Sequence, residues 1–304
     1  MTPLRIGTRG SPLALAQANE TRARLLDATG LPDDAFEIAV IRVTGDAVQD
    51  RPLSQVGGKG LFTKEIEEAL LAGEVDLAVH SMKDMPVEQP EGLALDCYLP
   101  REDVRDAFVS HAGGGLADLP EGATVGTSSL RRRAQILARR PDLSVVEFRG
   151  NVQTRLAKLS SGVVRATFLA MAGMNRLGMR DVPATPIEPS EMLPAIAQGA
   201  IGVERRAEDV RVAEMLALIQ HHDTGRRLAA ERAFLAGLDG SCQTPIAGLA
   251  ELAGDRLRLR GEILRPDGSR VLSDEAEGTA EEGAAMGRAM AARLLREAGP
   301  GFFT

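Results

Sequence analysis

The chain has 304 residues, 44% hydrophobic and 26% charged, with a formal net charge of −7; it is too long for one compact core and too apolar to be disordered. The acidic total, the absence of Trp and a single Tyr exclude a nucleic-acid binder that stacks bases on aromatic side chains. No apolar run reaches a membrane span, and the amino terminus lacks a secretory apolar segment, so a cytoplasmic protein with no membrane partner is expected.

LRIGT (4–8) reads as a short buried strand, followed by Ser11 as N-cap and Pro12 at the first helical position. That helix runs to about Asp27 and stops near Gly30. FEIAVIRV is a second strand, and the polar stretch TGDAVQDRPLSQVGGKG after it has the length of a functional flap. FTKEIEEALLAGE is a helix and VDLAVHS a strand, an alternation that signals an α/β unit with a parallel sheet. The alternation restarts near Ala123: TVGTSS is strand into turn, SLRRRAQILARR helix, SVVEF strand, NVQTRLAKLSS helix, ATFLA strand. Two such units suggest two lobes with a cleft between them, with PATPIEPS as the crossing back. From about Gly240 the pattern becomes antiparallel strands with a PDG turn and an Ala-rich helix, a small α+β domain.

Charge is unevenly spread. Between Gly126 and Arg155 seven arginines face Asp142 and Glu147, a local +5 on an acidic chain, and the natural partner is a small anion. In GTSSLRRR, Thr127, Ser128 and Ser129 occupy a strand-to-helix turn whose hydroxyls and free amides suit an anion. Arg131 and Arg132 follow, where a guanidinium fork can grip a carboxylate. TRGSPLA repeats the arrangement with Arg9 and Ser11. The plain alternative for both is a capped, solvated helix face. HSMKDMP puts Ser81, Lys83 and Asp84 just beyond a strand's carboxyl end, where open α/β sheets bind ligands. An ionised Asp84 there suits the stabilisation of developing positive charge. Arg149, Arg155 and Arg176 follow strands in the same manner. Cys242, in GSCQTP, is a loop thiol open to reaction, whereas Cys97 in LALDCYL reads as buried. Two cysteines and four scattered histidines make a metal site unexpected.

TRGSPLALAQ, VGGKGLF, AVHSMKDMP, REDVRDAF, GTSSLRRR, RRPDL, RGNVQTRL, LAMAGMNRLG, QGAIGVE and GSCQTPIAG together resemble the porphobilinogen deaminase (hydroxymethylbilane synthase) family across nearly the whole chain. The resemblance implies two periplasmic-binding-protein-like α/β lobes around a cleft plus a small α+β domain. On this chain the division falls at 1–99 with 195–218, 100–194, and 219–304. It implies a monomeric enzyme that joins four porphobilinogen units head to tail into linear hydroxymethylbilane, releasing ammonia, on a dipyrromethane cofactor held by a thioether to Cys242. Asp84 matches the catalytic carboxylate. Arg9, Ser11, Lys83, Thr127, Ser129, Arg131, Arg132, Arg149, Arg155 and Arg176 match positions that bind cofactor or substrate carboxylates, and Gln17 and Gln198 lie in matching blocks. The stretch 46–58, leading to Lys59 and Phe62, resembles a mobile active-site loop. Gln55, Ala197 and Ser241 depart from residues frequent in the family, lysine for the first and glycine for the other two; Arg165 stands where an acidic residue is frequent.

The physical chemistry agrees. Each porphobilinogen carries an acetate and a propionate, so cofactor plus four substrates bring twelve carboxylates together, whose mutual repulsion arginine is suited to neutralise. Two other classes compete: a two-lobed binding protein for an anionic solute, and an Arg-rich nucleic-acid binder. The first is separated by the mass of the denatured chain; the second by the acidic total.

Overall fold

The computed structural model describes residues 3–47, 60–240 and 244–303. They form two compact units, 3–47 with 60–102 and 199–225, and 103–198 with 226–240 and 244–303.

The first unit is built on a five-stranded sheet. β1 (Leu4–Arg9) pairs in parallel with β2 (Phe36–Ile41) and with β3 (Leu77–Ser81). β1 leads into α1 (Pro12–Thr29), capped by Ser11, whose side chain accepts from Ala14 N. The helix ends at Gly30, whose φ of 66° is left-handed, a conformation a side chain would resist. The short helix α2 (Thr44–Ala47) and α3 (Lys64–Leu71) follow. β4 (Leu93–Tyr98) lies at one edge, and β10 (Ile201–Arg206) returns from far along the chain to lie between β3 and β4. β10 runs antiparallel to both neighbours, so the sheet is mixed and not parallel as expected. Its pairing is fixed by burial, since Ile201 and Val203 join Leu77 and Val79 in one core layer. The opposite face packs Ala78 and Leu93 against Ile66 and Leu70 of α3. Strands covered on both faces need near-continuous apolar sequence, which β3 has in LAVHS.

The second unit holds two sheets. One has the order β7-β6-β8-β5-β9, from β5 (Asp106–Val109), β6 (Thr124–Gly126), β7 (Ser144–Val146), β8 (Ala166–Ala170) and β9 (Ala184–Pro186). β6 is parallel to β7 and β8, whereas β5 is antiparallel to β8 and β9. The PATPIEPS stretch therefore supplies an edge strand and is not simply a crossing; Pro186 is tolerated because an edge leaves one side unpaired. Helices α4 (Leu130–Arg139), α5 (Val152–Ser160) and α6 (Met171–Arg176) follow β6, β7 and β8. The other sheet is the expected antiparallel one: β11 (Ile246–Ala253), β12 (Arg256–Leu264) and β13 (Val271–Thr279). Helix α7 (Val210–Ala217) belongs to the first unit; most of α8 (His222–Gly237) and all of α9 (Gly283–Ala298) belong to the second. The α/β class with a small α+β part is as expected.

No helix among the described residues is long and apolar enough to cross a membrane. Among them, no group of three or more His, Cys, Asp or Glu side chains is placed to hold a metal ion.

Candidate active site

In the first unit, parallel pairing of β1 and β3 sets their carboxyl ends side by side. Arg9 closes β1 and Asp84 sits in the turn of 3-10 helix just after β3. Arg9 Nη1 lies 3.4 Å from Asp84 Oδ2, and its guanidinium stacks 4.3 Å from the centre of the Phe62 ring. Both side chains of the ion pair keep part of their surface open, 21% and 30%. The pair fixes the carboxylate in place without sealing it from a ligand. Ser81 Oγ donates to Oε1 of buried Gln17 at 2.9 Å, tying the end of β3 to α1. Ser11 works as the helix cap the sequence suggested. Lys83 is half-buried next to Asp84.

In the second unit, β6 ends at Gly126 and the chain turns through Thr127, Ser128 and Ser129 into α4. Ser129 N donates to Thr127 Oγ1 at 3.2 Å, and Ser129 Oγ caps α4 by accepting from Arg132 N. Arg131 and Arg132, expected to reach toward a ligand, are 4% and 5% exposed and converge on Asp106, which is fully buried at the start of β5. Arg132 donates from Nε and Nη2 to Asp106 Oδ1, at 3.2 and 2.7 Å, and from Nη1 to Phe168 O. Arg131 Nη1 donates to Asp106 Oδ2 at 2.7 Å, to Gln135 Oε1 and to Leu193 O. Gln198 Nε2 donates to Asp106 Oδ1 and Val104 O, both at 2.9 Å. Burial works against the Asp106 charge, but the two guanidiniums and their hydrogen bonds outweigh it and hold the carboxyl well below the usual carboxylate range.

Two donors in this cluster have no acceptor. Arg131 Nε and Ser128 Oγ are buried and without a hydrogen-bond partner among the described residues. Glu262 is a second buried carboxylate acting on Arg131, so what is unmet in the cluster is the hydrogen bonding of these two donors. A buried, incompletely paired cation is costly unless an anion completes it. The residues present therefore fit an acidic ligand.

Arg149 lies between β7 and α5, Arg155 in the first turns of α5 and Arg176 at the end of α6, all half-buried. Arg155 Nε donates to Gly150 O, and Lys158 Nζ to Arg149 O. Ala197, beside Gln198, adopts a left-handed φ of 60°, a strain that the frequent glycine avoids. It is held by the Ala197 N bond to Glu231 Oε2 at 2.7 Å. Cys97 is buried, and burial, helped by the Asp96 charge, pushes its thiol up to about 12, which keeps it unreactive. Cys242, Ser241, Gln55, Lys59 and residues 48–58 of the expected loop lie outside the described residues. Arg165 is exposed, and nothing in the structure explains it.

Sequence reasoning missed Asp106 and Gln135. The signal for Asp106 was present: in DAFV a charged residue opens an otherwise apolar strand, and a carboxylate so placed needs cations.

Residues 4–214 match the family model "Porphobilinogen deaminase, dipyromethane cofactor binding domain", and residues 226–296 match "Porphobilinogen deaminase, C-terminal domain". The curated porphobilinogen deaminase of Paracoccus denitrificans (strain Pd 1222) is 68% identical over 301 residues, covering 99% of this chain and 96% of that one. Among solved structures, the periplasmic aliphatic sulphonate binding protein SsuA from Escherichia coli aligns at 14% identity with a TM-score of 0.42, over 78% of this chain and 70% of its own. The probable amino-acid ABC transporter extracellular-binding protein YtmK from Bacillus subtilis aligns at 11% identity and the same TM-score, over 71% and 88%. Neither structural likeness is close enough to bear on function. The two family matches and the high identity do: the chain belongs to the porphobilinogen deaminase family.

Proposed function

We propose that Asp84 is the catalytic carboxylate and that the arginines of the second unit hold the acidic side chains of substrate and cofactor. The enzyme joins four porphobilinogen units head to tail into linear hydroxymethylbilane, with release of ammonia, in tetrapyrrole biosynthesis. It acts as a cytoplasmic monomer on a free small molecule. Dipyrromethane, attached through a thioether to Cys242, supplies when bound the pyrrole carbon from which the chain is extended.

Asp84 faces the charge problem of the reaction. As ammonia leaves a porphobilinogen, positive charge grows on the pyrrole, and a fixed carboxylate lowers the energy of that state more than that of the neutral substrate. Arg9 holds Asp84 in one orientation, so little reorganisation is needed as charge develops. Pyrrole N–H groups are donors, so the same carboxylate orients the ring.

Carboxylate binding falls to Arg131, with Ser128, Ser129 and Thr127 around it and Arg149, Arg155 and Arg176 in the same unit. Arg9, Ser11, Lys83, Gln17, Ser81 and Phe62 take this part in the first unit, and Lys59 is assigned with them from the sequence alone. The observation that carries this reading is the pair of buried donors, Arg131 Nε and Ser128 Oγ, that find no acceptor among the described residues.

Turnover tests it. Purified enzyme given porphobilinogen is expected to release one ammonia per monomer consumed and to yield a product of four pyrrole units. Porphobilinogen binding with no ammonia released would leave only a solute-binding protein.

A further inference from the structure

The bonds of Arg131 are distributed unevenly. Nη1 alone meets Asp106, Gln135 and Leu193 O, while Nε meets nothing among the described residues. A carboxylate is held most strongly by two parallel N–H groups on one edge of the guanidinium. The edge bearing Nε is kept for that purpose only if Nη1 is pinned on the other side.

Asp106 pins it from the sheet, and the second pin comes from farther away. Gln135, one helical turn beyond Arg131 on α4 and fully buried, accepts from Nη1 at 3.0 Å. Its own amide donates to Leu193 O at 3.1 Å and to Glu262 Oε1 at 3.0 Å. Glu262 is a buried residue of β12, in the small antiparallel sheet. The same sheet touches α4 a second time. A Cβ on Gly268, in the turn between β12 and β13, would come within 2.5 Å of Ala138 N and 2.8 Å of Ala134 O. The turn thus rests directly on the helix backbone, and a side chain there would push α4 away.

We infer that Gln135 and Glu262 are positioning residues for carboxylate recognition: through them the small antiparallel sheet fixes Arg131 so that its Nε edge is left to pair with the ligand. This rests on the assignment of Arg131 to a cofactor or substrate carboxylate. Gln135 contacts Arg131 directly and Glu262 acts through Gln135, so their effects share one route.

The test uses full-length chains: Gln135→Met, Glu262→Met, the double variant, Glu262→Gln and Gly268→Ala. Met preserves volume and helix propensity while removing the polar atoms. Each Met variant is expected to raise KM for porphobilinogen about tenfold with kcat within about twofold, because binding and not charge stabilisation is lost. The double variant should match Gln135→Met alone, since removing the middle of a chain leaves its end nothing to act through. Glu262→Gln, which keeps an acceptor oxygen, should recover most of the loss. Gly268→Ala should raise KM while leaving the side chains of Gln135 and Glu262 in place, and it serves if the Met variants fail to fold. Cofactor loading gives a second readout: the fraction of cofactor-free chain that gains covalent mass on incubation with porphobilinogen should fall in parallel with the rise in KM. Folded variants with wild-type KM and loading, or single effects that multiply in the double variant, overturn the inference and leave the proposed function standing. A wild-type chain that neither gains mass nor turns over overturns both.

Discussion

Replacing Asp84 with alanine is expected to lower kcat by about 10³-fold, the scale set by removing one fixed group opposite developing charge. The melting temperature should stay within about 2 °C, because a partly exposed ion pair contributes little to stability. Asp84 lies in a turn, its side chain is 30% exposed, and it meets Arg9 Nη1 at 3.4 Å. Little packing depends on it. Asp84→Asn, which keeps shape but not charge, should be nearly as slow, whereas a polar contact alone would be largely preserved by the amide. Steady-state ammonia release at saturating porphobilinogen measures this. A variant keeping more than about a tenth of the wild-type rate would remove Asp84 from the chemistry.

Asp106 should behave in the opposite way. Asp106→Ala is expected to destabilise the protein by about 3–5 kcal/mol, since two buried guanidiniums lose their only shared counter-charge. For a chain of this size that corresponds to a fall in melting temperature of roughly 10 °C. The pH dependence has a definite sign. Because the folded carboxyl sits well below its ordinary value, protons bind the unfolded chain more readily. The stability Asp106 contributes is therefore complete above the unfolded value of about 4 and is lost as pH falls through the folded one. Melting curves of wild type and Asp106→Asn between neutral pH and acid should converge on the acid side. A variant melting within about 2 °C of wild type at neutral pH would mean the arginines are neutralised by something else.

These two residues also show what a sequence discloses. Helix α1 was legible because its signals are local: Ser11, Pro12 and Gly30 mark its ends, and the structure gives Pro12–Thr29. The site turns were legible for a similar reason, since β3 into Asp84 and β6 into Ser129 are single strand-to-turn transitions. The insertion of β10 between β3 and β4 was not, because its partners lie more than a hundred residues away and nothing in IGVERR records direction. Hence the expectation of a parallel sheet failed in both units. The Arg-rich stretch was read as ligand-facing, yet much of its charge goes to Asp106, 25 residues upstream of Arg131. Hydrogen-bond partners of long side chains depend on tertiary placement, and no spacing rule along one helix reveals them.

The mass of the intact, denatured protein tests the account most directly. The account predicts a chain heavier than its 32.3 kDa polypeptide by two pyrrole units, and a Cys242→Ser chain at the bare mass. Fully active enzyme that denatures to the bare polypeptide would contradict it.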